Sequence, residues 1–430
     1  MSTSTKGTTQ ETTTPEMRRN TKPAHVVLIH QAFAGPEQPG GTRHYELGTH
    51  LVRNGHRFTV VASDLSYLSG QRVTKEQGIE EWVDGIRVFR AYTHHNLHKS
   101  FVWRVIAFFS FAAASIRPAL SAGDVDVVYG TTPPIFQAVS AWIVSVLRRR
   151  PFLLEVRDLW PEFAIDMGIL RNPVLIKLSR VLEKFLYRRA THLLVNSPAY
   201  RNYLIGKGVP PAKITLISNG VDPEMFDPGS PGKEVRQQFG LQDKFVVCYA
   251  GALGMANDIN TVIEAAVQVR DRKEIHFLLV GDGKERPNLE RRVGELKLEN
   301  VTFTGTQPKQ KMKEFLAAAD ACLAILQDIP MFRTTYPNKV FDYMAAGKPT
   351  VLAIDGVIRE VIEAAGGGLY VPPGNAQALA HAICALNEDR STAASMGRAA
   401  REYVSRHFNR SDQAEQLLDL VSKLANSRAR

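Results

Sequence analysis

The residues best suited to chemistry lie in one run, Arg333-Thr-Thr-Tyr-Pro-Asn-Lys-Val-Phe-Asp-Tyr-Met-Ala-Ala-Gly-Lys-Pro349. Pro337 fits the first turn of a helix, Gly347 its C-terminal cap and Pro349 the stop beyond it, which predicts a helix of about ten residues. Lys339 and Asp342, three apart, share a face near its start. A cation beside a helix N-terminus can hold a diphosphate, and a carboxylate can accept both hydroxyls of a ribose. An ordinary surface ion pair explains the same spacing equally well, so the spacing leaves both readings open.

Three glycine turns follow apolar, strand-like runs: Gly40-Gly41 before a helical pattern, Ala250-Gly-Ala-Leu-Gly254, and Gly281-Asp282-Gly283. Ligands collect at such strand ends in open α/β sheets, and a helix that starts there offers unpaired N–H groups to an anion. A tight turn also needs glycine with no ligand present. The first loop lacks a Gly-x-Gly-x-x-Gly with a ribose-binding acid beyond it, which weighs against a dehydrogenase. Asp158 and Glu162, after another strand-like run, are candidates for orienting a hydroxyl, with a structural role equally open. No metal is expected. Asp124-Val-Asp126 reads as strand-edge charge, and His94, His95 and His98 read as loop histidines with no carboxylate or Cys to complete a set.

The elements that must position these residues form two similar series. Strands are expected at His25–Ile29, Arg57–Ala62, Ile86–Arg90, Val125–Tyr129, Phe152–Val156 and His192–Val195, alternating with helical patterns. The series restarts at Phe245–Ala250, Ile275–Val280, Val301–Phe303, Ala321–Leu326 and Pro349–Ala353. Strands alternating with helices make parallel sheets, so the expected fold is α/β, two Rossmann-like doubly wound domains facing across a cleft. The expected division is a disordered tail over 1–23, a first domain over 24–222 and a second over 223–399. The Pro- and Gly-rich segment 222–232 is the linker, and a helical tail over 400–430 is free to pack back on the first domain.

A chain of 430 residues with 44% apolar and 22% charged residues can bury two cores. The 53 Lys and Arg against 43 Asp and Glu give +10, favouring phosphate-bearing ligands, nucleic acid or an anionic membrane. No basic–aromatic motif of a nucleic-acid module appears, so no nucleic-acid partner is expected. Cys248, Cys322 and Cys384 lie in apolar runs and read as reduced and structural. The Ser- and Thr-rich start has no apolar core of a signal peptide, which points to the cytoplasm. The apolar run Val105–Ile116 is too short to span a bilayer, and a helix with Lys177, Arg180, Lys184 and Arg188 beside an apolar stripe could lie on anionic lipid, so peripheral contact at the inner membrane face is an open expectation. A buried run and a stripe packed on the sheet are the alternatives.

Taken in order, Asn219-Gly-Val-Asp222, Gly281-Asp-Gly with Glu285-Arg286, Phe303-Thr-Gly305, Ala319-Asp320 and Phe341-Asp-Tyr-Met-Ala-Ala-Gly-Lys-Pro349 resemble the family 4 glycosyltransferases. Gly40-Gly41 and Gly55-His56 resemble that family's amino-terminal markers. Glu155-Val-Arg-Asp-Leu-Trp-Pro-Glu162 resembles its subgroup building bacterial surface polysaccharides and lipopolysaccharides. The resemblance covers nearly the whole chain from His25. It implies a GT-B fold and metal-independent transfer, with retention of configuration, from a nucleotide-diphosphate sugar to a glycan or lipid-linked acceptor. A nucleotide-sugar epimerase on the same fold and a non-catalytic nucleotide-sugar-binding scaffold are the alternatives.

Carried over residue by residue, the resemblance makes Lys339, Arg333 and Asp342 the catalytic set. Gly251, Gly254, Gly281, Asp282, Gly283, Thr334, Asn338 and Val340 become donor contacts, and Gly40, Gly41, Asp158 and Glu162 contacts to acceptor or transferred sugar. Asp342 stands where the family's paired-glutamate motif has its second Glu, and Thr334 stands in place of the first. Ala256-Asn257-Asp258 replaces a Lys-Gly pair that neutralises the diphosphate in many relatives, leaving Arg333 and Lys339 as the substitutes.

Overall fold

The computed structural model describes residues 22–38, 40–66, 70–73, 80–96, 99–226, 228–229 and 232–427. The expected tail over residues 1–21, His98, and Asp227, Ser230 and Pro231 of the linker lie outside the described residues.

Fourteen strands form two sheets among the described residues. The first holds β1 (His25–Ile29), β2 (Arg57–Ser63), β3 (Glu80–Val83), β4 (Ile86–Ala91), β5 (Val127–Thr132), β6 (Phe152–Val156), β7 (His192–Val195) and β8 (Ile214–Leu216), in the order β3-β4-β2-β1-β5-β6-β7-β8. The second holds β9 (Phe245–Ala250), β10 (Ile275–Val280), β11 (Val301–Gly305), β12 (Ala321–Ile325), β13 (Thr350–Ala353) and β14 (Gly368–Tyr370), in the order β11-β10-β9-β12-β13-β14. All pairs are parallel except β3 with β4. Every residue of the central strands β1, β9 and β10 is buried, as runs covered by helices on both faces must be.

Two strands go beyond the sequence reading. β3 is half-exposed and reads Glu-Glu-Trp-Val, so it carries no apolar run, yet Asp84 and Gly85 take φ 46° and 81° in the two-residue turn of a hairpin. β14 spans three residues, below the length at which a period shows. β5 begins two residues later than expected and runs on to Thr132. The helix in the chemically rich run is Asn338–Ala345, eight residues long, with Pro337 as its N-cap.

Helix α1 (Arg43–Arg53) follows β1, and α2 (Phe101–Leu120), α3 (Ile135–Arg148), α4 (Glu162–Asp166) and α5 (Pro173–Arg189) cover the first sheet or its ends. The apolar run of 105–116 is the middle of α2, which Ser100 caps and which is long and apolar enough to cross a membrane by length and composition; it packs along α3, where the Ser140 hydroxyl donates to the Ala112 carbonyl at 2.6 Å and the Phe109 and Phe136 rings lie 4.2 Å apart. The terminal helix Arg410–Asn426 returns to the first sheet, where Leu417, Leu420 and Val421 join the core formed with Leu47 and Leu51 of α1.

Candidate active site

The carboxyl ends of both sheets face a cavity of ≈ 950 Å³, walled by His30, Gln31, Arg157, Asp158 and Asn196 from the first half and Phe332, Tyr336 and Asn338 from the second. A volume of this size accommodates a drug-sized or larger ligand. The two halves also touch directly. The Ser197 hydroxyl donates to the Thr334 carbonyl at 2.6 Å, Asn219 Nδ2 donates to the Tyr336 carbonyl at 2.7 Å, and the rings of Phe163 and Phe332 lie 5.7 Å apart.

The first wall rests on Glu155 at the end of β6, fully buried. It accepts hydrogen bonds from Arg43 Nε at 2.9 Å, His44 Nε2 at 2.6 Å and the Tyr129 hydroxyl at 2.6 Å. Burial alone would raise its pKa, but Arg43 and His44 overcome that and hold the carboxyl well below the usual range. Burial lowers His44 to about 4 against the pull of Glu155, so the ring is neutral at pH 7 and donates through Nε2. Arg43 spends its remaining donors on the carbonyls of Ile217 and Ser218, each at 2.7 Å. The network is thus fully bonded and serves to fix α1 and the Gly40-Gly41 turn, whose two glycines border the cavity.

Asp158 also borders the cavity. Burial raises its pKa to about 6 although Arg157 opposes the shift, and its carboxyl accepts from the Tyr200 hydroxyl. Glu162, expected as an acceptor or sugar contact, does not line the cavity. The short α4 turns Phe163 to the cavity, and Glu162, largely buried, accepts from Arg180 Nε and Nη2 at 2.9 Å and pairs with Lys207 at 3.5 Å.

In the second half, next to cavity-lining Asn338 but not itself in the lining, Lys339 Nζ donates to the Tyr249 hydroxyl at 2.9 Å and to Asn257 Oδ1 at 3.0 Å, and it sits 4.2 Å from the centre of the Tyr249 ring. Burial lowers its pKa to about 7. A Cβ on Gly251 would stand 2.8 Å from this ammonium, so the bare turn leaves room for the cation. The other glycines serve each other: a Cβ on Gly281, at φ 140°, would lie 1.9 Å from the Gly251 carbonyl oxygen, and one on Gly283 would lie 2.3 Å from that of Leu253. Gly254 borders a separate recess of ≈ 230 Å³ with Asp258 and Gln327. Asp282 is half-exposed, bonded to the Gly283 N–H at 2.7 Å and paired with Arg286 at 2.9 Å.

Asp342 does not join Lys339. Its carboxylate pairs with Lys309 at 2.5 Å, in a recess of ≈ 30 Å³ that Gly41, Arg410 and Asn338 also border. Burial raises its pKa while Lys309 opposes the rise. Asn338 borders both this recess and the cavity, and its Oδ1 has no partner. Three expected contacts lie elsewhere. Arg333 is exposed in a 3-10 turn, paired with Asp328 at 3.1 Å and outside the cavity lining, because the irregular turn points it to solvent. The Val340 side chain belongs to the core, and Thr334 spends its hydroxyl on the Met331 carbonyl at 2.5 Å.

The sequence reading missed Gln31, Asn196 and the role of Arg157 at the ends of β1, β7 and β6. Among the described residues, both amide atoms of Gln31, Asn196 Oδ1 and Arg157 Nε are buried without a hydrogen-bond partner. Residues so far apart carry no spacing signal. Among the described residues no group of His, Cys, Asp and Glu is arranged to hold a metal ion.

A family model described as a glycosyl transferase 4-like domain matches residues 40–220, and one described as glycosyl transferases group 1 matches residues 244–389. The chain is 22% identical over 415 residues to a protein of Escherichia coli strain K12 named as a colanic acid biosynthesis glycosyl transferase, across 91% of this chain and 98% of that one. Sucrose-phosphate synthase from Thermosynechococcus elongatus superposes with a TM-score of 0.75 at 21% identity, covering 94% of this chain and 100% of that one. The Anabaena protein HepE, crystallised with UDP and glucose, superposes with a TM-score of 0.70 at 22% identity, covering 93% and 99%. With one family model on each sheet and a matching two-sheet architecture around the cavity, the chain belongs to the glycosyltransferases and has the GT-B fold.

Proposed function

We propose that this glycosyltransferase moves a hexosyl or N-acetylhexosaminyl unit, with retention, from a nucleoside-diphosphate donor to a glycan or lipid-linked acceptor in cell-surface polysaccharide synthesis. The observation that carries the donor reading is Lys339, an ammonium held only by neutral partners at a strand end. A buried cation without a carboxylate gains most from an anionic ligand, here the diphosphate. As the bond from sugar to phosphate breaks, charge grows on the phosphate, and Lys339 with the N-terminus of the helix Asn338–Ala345 stabilises it without any metal. The leaving phosphate takes the acceptor proton. Asp342 is assigned to the ribose hydroxyls, with Lys309 yielding its place, and Asp158 with Gly40 and Gly41 to the sugar side. The full-length likeness to the E. coli protein supports the polysaccharide context.

The test is a thermal-shift series with uridine and guanosine diphosphates on wild type, Lys339→Ala and Asp342→Ala. One nucleotide should raise the melting temperature of wild type alone, and its sugar derivative should be consumed only when an acceptor is present. No shift with either nucleotide sinks the donor assignment, and conversion without acceptor favours an epimerase.

An exposed face of the first half supports contact with the inner membrane surface. Val174, Leu178 and Val181 of α5 are 62%, 59% and 58% exposed, beside the exposed cations Lys177, Arg180, Lys184 and Arg188, and Phe109 of α2, across α3 from α5, is 54% exposed. An apolar stripe rimmed by cations suits anionic lipid. Flotation with phosphatidylglycerol vesicles should carry wild type but not Leu178→Glu/Val181→Glu, and wild type remaining in the pellet removes the membrane assignment.

A further inference from the structure

The fully buried cations of the first half have counter-charges, and partly buried Arg157 has none in bonding contact. Arg43 pairs with Glu155, Arg410 with Glu46 and Arg90 with Glu81. Arg157, on the cavity wall, makes no ion pair among the described residues. Its NH1 donates to His30 Nε2 at 3.2 Å, and its Nε is buried with no partner. His30 is neutral, since burial, with His44 and Arg157 beside it, lowers its pKa far below the ordinary value. Its Nδ1 then donates to Thr131 Oγ1 at 2.9 Å, leaving Nε2 as the acceptor that orients the guanidinium. The adjacent carboxyl of Asp158 is engaged by Tyr200 instead.

The backbone under Arg157 is pinned as well. Its N–H donates to the Thr132 carbonyl of β5 at 3.2 Å, and its own carbonyl accepts from Asn196 Nδ2 at 3.3 Å. The side chain therefore has a fixed root and one fixed edge, while the open Nε lies on a wall where both amide atoms of Gln31 and the Oδ1 of Asn196 are also unsatisfied. Holding a partly buried guanidinium without an ion pair in bonding contact is costly, and neutral amide atoms left unpaired beside it add to that cost. A ligand that brings an oxyanion to the guanidinium and hydroxyls to the amides offsets both, and the planar fork of arginine suits a carboxylate or a phosphate.

We propose that Arg157 is a donor-recognition residue, binding an oxyanion of the sugar nucleotide from the half of the molecule opposite Lys339. The oxyanion is either the diphosphate or a carboxylate on the sugar ring. The inference rests on the cavity taking a sugar-nucleotide donor. Gln31 and Asn196 then meet the hydroxyls of the transferred sugar.

Wild type, Arg157→Gln and Arg157→Lys are titrated with UDP-glucose, UDP-glucuronate and GDP-mannose. Arg157→Gln should weaken binding roughly 10- to 100-fold, the range for losing a hydrogen bond to a charged group, and Arg157→Lys should weaken it less because the charge remains. A loss shared by all donors that wild type binds assigns the diphosphate. A loss confined to UDP-glucuronate assigns a sugar carboxylate. Unchanged affinities in a variant that melts near the wild-type temperature overturn the inference while the donor reading stands. Wild type that binds none of the three overturns the donor reading and this inference with it. Should Arg157→Gln not fold, the lysine variant alone decides: affinity equal to wild type for every donor overturns the assignment.

Discussion

Lys339 and Tyr249 form one unit: the ammonium sits 4.2 Å above the phenol ring and donates to its oxygen, and the pair closes the end of β9. Burial lowers the Lys339 pKa to about 7, against an ordinary value of 10.5. Between these two values the unfolded chain holds a proton that the folded one lacks, so this group makes stability rise with pH from about 7 to about 10.5. An anion bound at Lys339 reverses the shift. At pH 8, UDP binding should take up a proton, read by calorimetry in two buffers of different ionisation enthalpy, and Lys339→Met should bind weakly and without uptake. Equal heats in both buffers for wild type would show that the phosphates sit elsewhere.

Gly281 and Gly283 are required by carbonyls of the neighbouring turn. Gly281→Ala places a methyl where the Gly251 carbonyl already stands, at φ 140°, and should cost about 3 kcal/mol or more. Gly254→Ala, with nothing within 4 Å of its Cβ, should cost well under that. Urea unfolding of the two variants makes the comparison, and equal stabilities would count against the backbone contact.

Glu162→Gln should leave turnover and nucleotide affinity unchanged. The residue lies outside the cavity lining, and its pair with the half-exposed Arg180 is backed by Lys207 at 3.5 Å, so the effect should fall on stability rather than on the reaction. A tenfold fall in kcat would return Glu162 to the active site.

Arg410 ties the terminal helix to α1 through Glu46 at 2.6 Å and to the Gly220 carbonyl at 2.5 Å. Burial would raise the Glu46 pKa, but Arg410 and the Thr42 hydroxyl overcome this and lower it. The carboxylate therefore contributes stability that is present above its unfolded pKa and lost as pH falls through the lower folded value. Arg410→Ala leaves Glu46 buried and unpaired, which should cost about 3–5 kcal/mol at pH 7. The deficit should shrink toward pH 4, and a loss independent of pH in thermal melts would point to packing alone.

The second sheet was readable because β9, β10 and β12 are continuous apolar runs between turn residues. β3 was not, since two glutamates hid it, although Asp84-Gly85 is a hairpin signal in its own right. For the site, sequence identified where the chain turns but not what each turn touches. Gly251 beside a cation and Gly281 against a carbonyl both need a missing Cβ, and the letters do not distinguish them. Pro337, Gly347 and Pro349 gave the helix of Lys339 and Asp342, but Lys339 bonds Tyr249 while Asp342 pairs with Lys309 in a separate recess. Gln31, Arg157 and Asn196 meet only because the sheet order sets β1, β5, β6 and β7 side by side.

The polypeptide passes between the halves near Val221 and again near Phe408, and the two passages lie together. Val221 N–H donates to the Phe408 carbonyl at 3.1 Å, and Arg410 N–H donates to the Val221 carbonyl at 2.9 Å. A single tether would let one half reorient in any direction. Two crossings bonded side by side hold the same point of the chain in place twice. Any opening of the cavity must therefore carry both crossings together.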